Sequence, residues 1–425
     1  MRLKLFSNSK VSVFLILMLL SLLYLFLTLN YKSALIVVFK HEGYTYDFNI
    51  IRFTCIFFIY SIINLSLYRI RKDYIFFSLL CLFTLLSFIP VSIIYFSSDK
   101  PFTPVAACLF FFFTVLSFSK FSLELEFLKI KQNEKKIIAF VILIFSWALC
   151  IGLFKFEFNL ANFLIDNVYD VREEFVDKHT GIGIYVFSIL SVAVLPILIL
   201  YGLSIKNFFI VGLGLLLFLY LFLVGGHKST IVTMVIVFIF YYLGNNLQKV
   251  IFRLFFGLLL VLGILYFFTS LEETSAILDI LLRRSFFTPA NILFDYFDFF
   301  KDTKLYLSHS IFKVFSDYPY NLPPARMIGL TYMGSELWNA NSGVIADGYM
   351  NFGLVGVFAY SAIVGFIFLF IKSLRAGVII LGLVFVQLQL IMEAFLTTWF
   401  LSYGLFIFLF LCYIFFSKYE KKFKN

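Results

Sequence analysis

The chain has 425 residues, of which 62% are hydrophobic and only 14% are charged, and its mean hydropathy is +1.00. A water-soluble fold cannot bury that much apolar surface, so the composition excludes a soluble globular protein and predicts one that is solvated by lipid. The formal net charge of +10 does not indicate a nucleic-acid partner, because the basic residues are distributed according to the predicted side of the membrane.

Twelve apolar runs are candidate membrane-spanning helices, given that about 20 helical residues cross a hydrocarbon core of about 30 Å. The runs are continuous and lack the alternation of barrel strands, so helices are expected. The first run follows a basic N-terminus, as in a signal peptide, but no small-residue cleavage site comes after the run. This pattern predicts a retained helix rather than a signal peptide. The predicted spans are 11–29, 50–68, 74–96, 104–119, 137–154, 182–202, 207–224, 230–244, 251–269, 352–371, 376–396 and 401–417.

The distribution of charge predicts the orientation of these spans. Most of the 34 Lys and Arg residues, but few of the 24 acids, fall on the side that carries both termini. The positive-inside rule therefore predicts cytoplasmic termini, with the basic residues facing an anionic inner leaflet. Two long segments, 155–181 and 270–351, then lie outside. We expect an all-α polytopic membrane protein, built as a single integral domain over 1–425, that works on its outer face.

The large outer loop is predicted to contain short amphipathic helices. In "SLEETSAILDILLRRSFFTPANILFDYFDFFKD" (270–302), Ser270 and Glu273 have capping-box spacing, and Thr288-Pro289 predicts a break between two helices. Asp295, Asp298 and Asp302 fall on the polar face of the second helix, so both helices are expected to lie at the membrane surface. "NLPPARMIG" (321–329) predicts a rigid connector. Whether the helices form part of a site or only cover the bundle stays open.

Basic side chains recur beside apolar or Gly-rich turns on the predicted outer side. Arg172 lies in "NVYDVREEF", Arg283 and Arg284 lie in "LLRRSFFTP", and Lys228 lies in the tight turn of "LVGGHKSTIV". Arg can hold a phosphate through two parallel hydrogen bonds and Lys adds a point charge, so together they predict an anion site near the lipid headgroups. Taken singly, each has a simpler explanation: a solvated loop charge, a snorkelling lysine, or complementarity to a helix dipole.

Other candidate groups are a histidine and several carboxylates of the outer loop. His309, in "YLSHSIF", is a candidate for hydrogen bonding or proton transfer, and Asp317, Glu336 and Asp347 are candidate bases. No HExxH or CxxC pair occurs and the five Cys lie in apolar runs, so neither a metal site nor a disulfide is expected. Walker A and GxGxxG motifs are also absent, so the substrate must arrive already activated.

The chain resembles the O-antigen polymerase family, the Wzy-type polymerases of oligosaccharide repeat units. The resemblance rests on "GGHKST" between two spans, on Arg284 five residues before Pro289 in "RSFFTP", and on "NANSGVIADGYMNFGLVG" leading into a late span. Arg172 and Gly183 also have the R-x10-G spacing noted in some members. The resemblance implies a GT-C-like glycosyltransferase of the bacterial cytoplasmic membrane that needs no cofactor.

The family's substrates are oligosaccharides linked to undecaprenyl diphosphate. The resemblance implies that the growing glycan moves from its lipid diphosphate onto the non-reducing end of a newly flipped repeat unit. The expected partners are the flippase and the chain-length regulator of the same pathway, together with the bilayer itself.

The resemblance also assigns roles to the candidate residues. The expected diphosphate ligands are Arg172, Lys228, Arg283, Arg284 and Arg326. Arg284 is in addition the expected catalytic cation, because a preplaced donor stabilises the charge that develops on the leaving diphosphate by about 3 kcal/mol. His309, or one of the outer carboxylates, would orient or deprotonate the acceptor hydroxyl. The expected glycan ligands are Asn339, Asn341 and Asp347, with Gly343 and Gly348 allowing close backbone approach.

Two alternatives remain open. An O-antigen ligase uses the same donor but transfers the glycan to lipid A–core. A polysaccharide flippase or other transporter would have several charges within its spans and short loops on both sides. Only Glu393 is clearly mid-span and the outer loop is long, which argues against a transporter. The matched motifs favour the polymerase over the ligase.

Overall fold

The computed structural model describes residues 9–40, 43–125, 128, 130–154, 175, 178–179, 181–243, 246–268, 278–313 and 317–417. These residues form helices joined by turns, and no β-strand occurs among them. The chain divides into two compact units. The first comprises Met1–Ser122, Asn246–Leu369 and Leu388–Leu396, and the second comprises Leu123–Asn245, Phe370–Gln387 and Thr397–Asn425.

The first unit contains the N-terminal helices and most of the predicted outer loop. Its α-helices are Ser9–Asn30, Ile36–Val38, Ile50–Arg69, Tyr74–Phe83, Ile89–Ser97, Thr103–Phe118, Leu247–Phe268, Thr288–Phe299, Pro324–Met333, and Val344–Ser373 as far as Leu369. Its π-helical segments are Tyr31–Leu35, Thr84–Phe88 and Asp279–Phe287. The first helix and helix Leu247–Phe268 pack along each other, and the buried Asn30 amide donates to the carbonyl of Leu262 at 3.0 Å.

The second unit contains the α-helices Gln132–Phe154, Ile182–Ile189, Leu195–Ser204, Phe208–Gly225, Lys228–Leu243, Leu405–Phe416, and the parts of Leu381–Glu393 and Leu396–Leu401 that fall in its ranges. The π-helix Leu190–Val194 joins two of them, and a 3-10 turn spans Val378–Ile380. Its core is apolar and includes the fully buried Trp399, whose indole N–H donates to Gln387 at 2.8 Å.

Each of the twelve predicted spans coincides with a helix or with consecutive helical segments. Eight of these are long and apolar enough to cross a membrane: Ser12–Val38, Ile50–Arg69, Tyr74–Ser97, Gln132–Phe154, Ile182–Ser204, Phe208–Gly225, Gln248–Phe267 and Val344–Ser373. Four others, Thr103–Phe118, Thr230–Leu243, Val378–Glu393 and Leu405–Phe416, are shorter. The expectation of a polytopic helical membrane protein is therefore confirmed, whereas the count of twelve spans stays a prediction.

Local sequence explains several helix ends. Asn49, Asp73 and Asn207 accept backbone N–H groups at the starts of helices Ile50–Arg69, Tyr74–Phe83 and Phe208–Gly225, as Asn and Asp do at N-caps. Helix Phe208–Gly225 ends on Gly226, whose left-handed backbone (φ 61°) suits glycine. The next helix begins at Lys228, so the predicted tight turn is confirmed.

Three π-helical segments end just before a proline: Pro90, Pro196 and Pro289. In each, the residue before the proline donates its N–H five residues back, from Ile89 to Thr84, from Leu195 to Leu190 and from Thr288 to Arg283. Proline has no N–H and its ring collides with the carbonyl four residues earlier. A widened turn removes that collision without ending the helix.

Two expectations for the outer loop are wrong. The helix is not broken at Thr288-Pro289, because the π-segment Asp279–Phe287 runs directly into helix Thr288–Phe299. Residues 292–297 are all buried, so Asp295 does not lie on an exposed polar face. The predicted rigid connector 321–329 includes the start of a helix, since Pro324, suited to a first turn, begins helix Pro324–Met333. The predicted capping box at Ser270 lies outside the described residues.

Candidate functional site

The π-segment Asp279–Phe287 brings two arginines to one carboxylate. Arg283 contacts Asp279 through its guanidinium, and the Arg284 Nε lies 2.7 Å from the Asp279 Oδ2. Since a π-turn holds more residues than an α-turn, positions four and five residues ahead both lie beside Asp279. Two guanidinium groups around one carboxylate leave a net positive charge among these three side chains.

The two arginines differ in environment. Arg283 is buried and its guanidinium lies 4.8 Å from the ring centroid of Phe39, an arrangement that stabilises a cation against an aromatic face. The Arg284 side chain is 54% exposed. One arginine is therefore fixed in the protein while its neighbour faces outward, as a ligand for an arriving anion requires.

The following helix, Thr288–Phe299, carries two carboxylates in contrasting surroundings. The Asp295 side chain is only 4% exposed, and its Oδ1 lies 3.7 Å from the Lys100 Nζ. Burial raises the pKa of Asp295 to about 6, although the positive charge of Lys100 acts in the opposite direction. Asp298 is exposed and accepts the Tyr332 hydroxyl at 2.7 Å, which lowers its pKa.

Asp347 lies in the first turn of helix Val344–Ser373 and is buried. Its Oδ2 accepts the backbone N–H of Leu396 at 2.7 Å, and its Oδ1 accepts the Asn351 amide at 2.8 Å. The same Oδ1 lies 3.8 Å from the His309 Nε2, which is beyond hydrogen-bond distance. The structure therefore brings together two of the predicted residues, His309 and Asp347.

His309 is enclosed by the protein. Its side chain is 5% exposed, its ring packs edge-on against Phe395 with centroids 5.5 Å apart, and neither ring nitrogen has a hydrogen-bond partner among the described residues. Burial lowers the pKa of His309 to about 4, so the ring is neutral at physiological pH. A neutral imidazole can accept a proton, but a substrate hydroxyl reaches it only if the segment that carries it moves.

That segment, residues 304–310, is attached to the start of helix Val344–Ser373. The N–H of Leu305 donates to the carbonyl of Met350 at 2.9 Å, and the N–H of Leu307 donates to the side chain of Asn351 at 2.7 Å. Asn351 was not predicted as a site residue. The only sequence signal was its place in "DGYMNFG", four residues after Asp347 on one helix face.

The polar loop before this helix is attached at Ala340. The Tyr296 hydroxyl donates to the Ala340 carbonyl at 3.1 Å, and the Ala340 N–H donates to Ala325 at 3.1 Å. Asn339 and Asn341, on either side, are exposed. The loop thus presents two of the three predicted glycan ligands, Asn339 and Asn341, to the outside. The third, Asp347, is buried and already hydrogen-bonded.

The predicted close approach at the glycines is made to the protein's own backbone. An added Cβ on Gly343 would collide with the carbonyl oxygen of Ile391, and one on Gly348 would lie 2.8 Å from the backbone of Gly356. The second contact is possible because the chain turns sharply at Phe352 and Gly353. These glycines therefore allow the close backbone packing around Asp347.

The remaining predicted diphosphate ligands are not joined to this site by the described contacts. Arg326 is exposed on helix Pro324–Met333 and makes no ion pair with the described residues. Lys228 begins a helix of the second unit, and the role of its side chain lies outside what the structure describes. Arg172 lies outside the described residues altogether.

Asp295 and Lys100 were also missed as a pair. Asp295 was placed on a polar face because helical spacing alone suggested one, and Lys100 lies far away in sequence.

No group of three or more His, Cys, Asp or Glu side chains that could hold a metal occurs in the described part of the chain. No family model, curated protein or solved structure matches this chain.

Proposed function

We propose that the protein is a membrane glycosyltransferase that polymerises a bacterial surface polysaccharide. In this proposal all twelve spans cross the cytoplasmic membrane, both termini are cytoplasmic, and the site lies on the outer face. The donor is a glycan on undecaprenyl diphosphate, and the acceptor is the non-reducing end of a new lipid-linked repeat unit. The pathway's flippase and chain-length regulator are the proposed partners.

The observation that carries the proposal is the Arg283–Arg284 pair around Asp279. The half-exposed Arg284 presents a cation to a diphosphate at the protein surface, and the buried Arg283 adds a fixed positive charge beside it. When the sugar–diphosphate bond breaks, its electrons remain on the leaving lipid diphosphate. Cations already in place stabilise that charge without rearrangement. Arg326, exposed in the same unit, is proposed as a further ligand.

In the proposed transfer, the acceptor hydroxyl oxygen bonds to the anomeric carbon as the bond to the diphosphate breaks. The hydroxyl proton passes to His309, whose neutral ring suits a general base. Asp347, 3.8 Å away, stabilises the imidazolium that forms. Asn339 and Asn341 bind the glycan from the exposed loop. Movement of residues 304–310 admits the acceptor to His309.

The first test is deletion of the gene in its native host, followed by gel analysis of the surface polysaccharide. Surface polysaccharide that consists of a single repeat unit on the lipid A–core supports a polymerase. Complete absence of the polysaccharide would instead indicate the ligase or the flippase, and unchanged long chains would exclude all three.

The second test is Arg284→Ala, expressed in the deletion strain. We expect chain extension to stop while the protein still accumulates in the membrane, because the variant loses the exposed cation and little packing. Lys301→Ala is the matched control: it also removes an exposed cation, one paired with Asp298 at 3.5 Å, and should restore full-length chains. Wild-type ladders from Arg284→Ala would remove Arg284 from the mechanism.

A further inference from the structure

We infer that Asn351 is a positioning residue that holds His309 in register with Asp347. The inference rests on the proposed function for its catalytic consequence, but the contacts behind it are independent of that function. Asn351 is fully buried and is not placed to touch a substrate. Its effect on transfer would therefore act through the two residues that it aligns.

The Asn351 side chain joins two segments. Its Oδ1 accepts the N–H of Leu307 at 2.7 Å, and its Nδ2 donates to Asp347 twice, to the carbonyl at 2.9 Å and to Oδ1 at 2.8 Å. The backbone carbonyl of Asn351 also accepts the N–H of Tyr306 at 3.3 Å. One side chain thus fixes both the segment that ends in His309 and the carboxylate that His309 faces.

Only an amide meets both requirements. The Leu307 N–H needs an acceptor, and the Asp347 oxygens need a donor. An ionised aspartate at position 351 would accept from Leu307 but would set a second negative charge against Asp347. A leucine of similar size would leave the Leu307 N–H and an Asp347 oxygen unsatisfied in the interior.

The backbone beside Asn351 is strained. Tyr306 and Leu307 both have left-handed conformations, with φ of 49° and 67°, which side chains with a Cβ rarely adopt. Such residues persist where the surrounding contacts hold them, and here the Leu307 N–H is held by Asn351. Ser308 and His309 follow directly, so this turn sets where the imidazole lies.

The orientation of Asp347 is fixed from the other side. Its Oδ2 is held by the N–H of Leu396, and Phe395 supplies the ring that packs against His309. With Oδ2 occupied by Leu396 and Oδ1 by Asn351, rotation of the carboxylate would break two hydrogen bonds. Without the Asn351 side chain, Asp347 would keep only its hydrogen bond from the Leu396 N–H. The segment that carries His309 would lose the hydrogen bond from the Leu307 N–H to Asn351.

The direct test is Asn351→Asp, assayed for glycan transfer in proteoliposomes with lipid-linked donor and acceptor. We expect kcat to fall about tenfold or more with KM little changed, the pattern of a lost transition-state interaction. Asn341→Ala, an amide proposed to bind the glycan, should instead raise KM. Asn321→Ala, an exposed amide outside the site, should change neither. An unchanged kcat in Asn351→Asp would overturn the inference.

A reciprocal exchange separates alignment from stability. Asp347→Asn combined with Asn351→Asp keeps one amide and one carboxylate in contact and preserves acceptors for Leu307 and Leu396. It moves the charge away from His309. We expect the double variant to recover thermal stability but not transfer. Recovery of both would mean that Asn351 acts only on stability, which would contradict the inference.

A labelling experiment distinguishes failure of the inference from failure of the proposed function. Ser308 is buried, so Ser308→Cys in a Cys55→Ser background should react slowly with a charged maleimide. Adding Asn351→Asp should accelerate the reaction at least tenfold, about 1.4 kcal/mol of lost protection. Acceleration in a protein that transfers no glycan would uphold the positioning contacts and reject the polymerase. Glycan transfer by the wild-type protein, with no faster labelling in the Asn351→Asp variant, would support the polymerase and overturn the positioning contacts.

Hydrogen exchange of the unsubstituted protein keeps the inference testable if the variants do not fold. The Leu307 amide should exchange slowly because its N–H is held by Asn351. Complete exchange at the earliest time point would show that the contact does not hold the segment and would overturn the inference.

Discussion

Asp295 and His309 are both buried, but burial moves their pKa values in opposite directions. Aspartate is charged when deprotonated and histidine when protonated, and a low-dielectric interior disfavours whichever form is charged. The pKa of Asp295 therefore rises to about 6 and that of His309 falls to about 4. Each residue makes a separate contribution to how stability changes with pH, so each is tested by comparing a variant with its parent at several pH values.

For Asp295 the folded-state pKa lies above the usual value of 3.8. The folded protein then holds a proton more tightly than the unfolded chain, so stability is lost as pH rises from about 4 to about 6. Asp295→Asn cannot ionise. We expect its stability relative to wild type to increase by about 3 kcal/mol between pH 4 and pH 7. Thermal unfolding in detergent measures this change. A constant difference would show that Lys100 fully offsets the cost of burial.

For His309 the folded-state pKa lies below the usual value of 6.5. The unfolded chain then binds the proton more readily, so stability is complete above pH 6.5 and is lost as pH falls towards 4. His309→Gln removes this loss, so wild type should lose up to about 3 kcal/mol more than the variant over that range. Equal losses on acidification would indicate that His309 is protonated in the fold, paired with Asp347.

At the scale of helices, much of the fold follows from apolar runs and caps. Spans such as Ile50–Arg69 and the turn at Gly226 were predicted because the length of an apolar run and the position of glycine act locally. The π-segments were not, since a proline signals a disruption without saying whether a helix ends or widens. The burial of Asp295 was missed for a different reason: six consecutive positions of its helix, 292–297, lie inside tertiary packing, which overrides an amphipathic pattern.

The candidate site was predictable only in part for the same reason. Arg284, His309 and Asp347 were recognised by residue type and position in a polar loop. The role of Asn351 depends on residues 305–307 folding back onto positions 350–351, a contact across more than forty residues that no local pattern specifies. The partner of Asp295, Lys100, lies between helices Ile89–Ser97 and Thr103–Phe118 of the first unit. Sequence spacing identified chemically capable groups but not their neighbours.

The bend in helix Val344–Ser373 depends on one glycine. Gly353 has φ 65° and ψ −149°, a region open essentially to glycine alone. Gly353→Ala should therefore destabilise the protein by about 1–3 kcal/mol. Gly257→Ala is the matched control, because Gly257 lies within helix Leu247–Phe268 with open space around its Cβ position, and it should be neutral or stabilising. Equal effects on Tm from both variants would show that the bend is not fixed by this residue.

At the scale of the whole molecule, the proposed chemistry requires a particular orientation in the membrane. The long apolar helices indicate several crossings, and the excess of basic residues on one side predicts the direction of the first crossing. The proposed catalytic and glycan-binding residues of the first unit all fall within the segment 270–351: Arg284, His309, Asn339, Asn341 and Asp347. A lipid diphosphate that has been flipped outward can meet Arg284 only if this segment is extracytoplasmic.

Cysteine labelling of intact cells tests that orientation directly. Four of the five native cysteines are buried and only Cys55 is exposed. The Cys55→Ser variant therefore provides a background without an exposed native thiol. Thr331→Cys, on an exposed position of helix Pro324–Met333, should react with a membrane-impermeant maleimide in intact spheroplasts. Lys120→Cys, an exposed position in a predicted inner loop, should react only after permeabilisation. The reverse pattern would place Arg284 in the cytoplasm, where flipped lipid-linked repeat units are absent, and the polymerase proposal would then have no substrate.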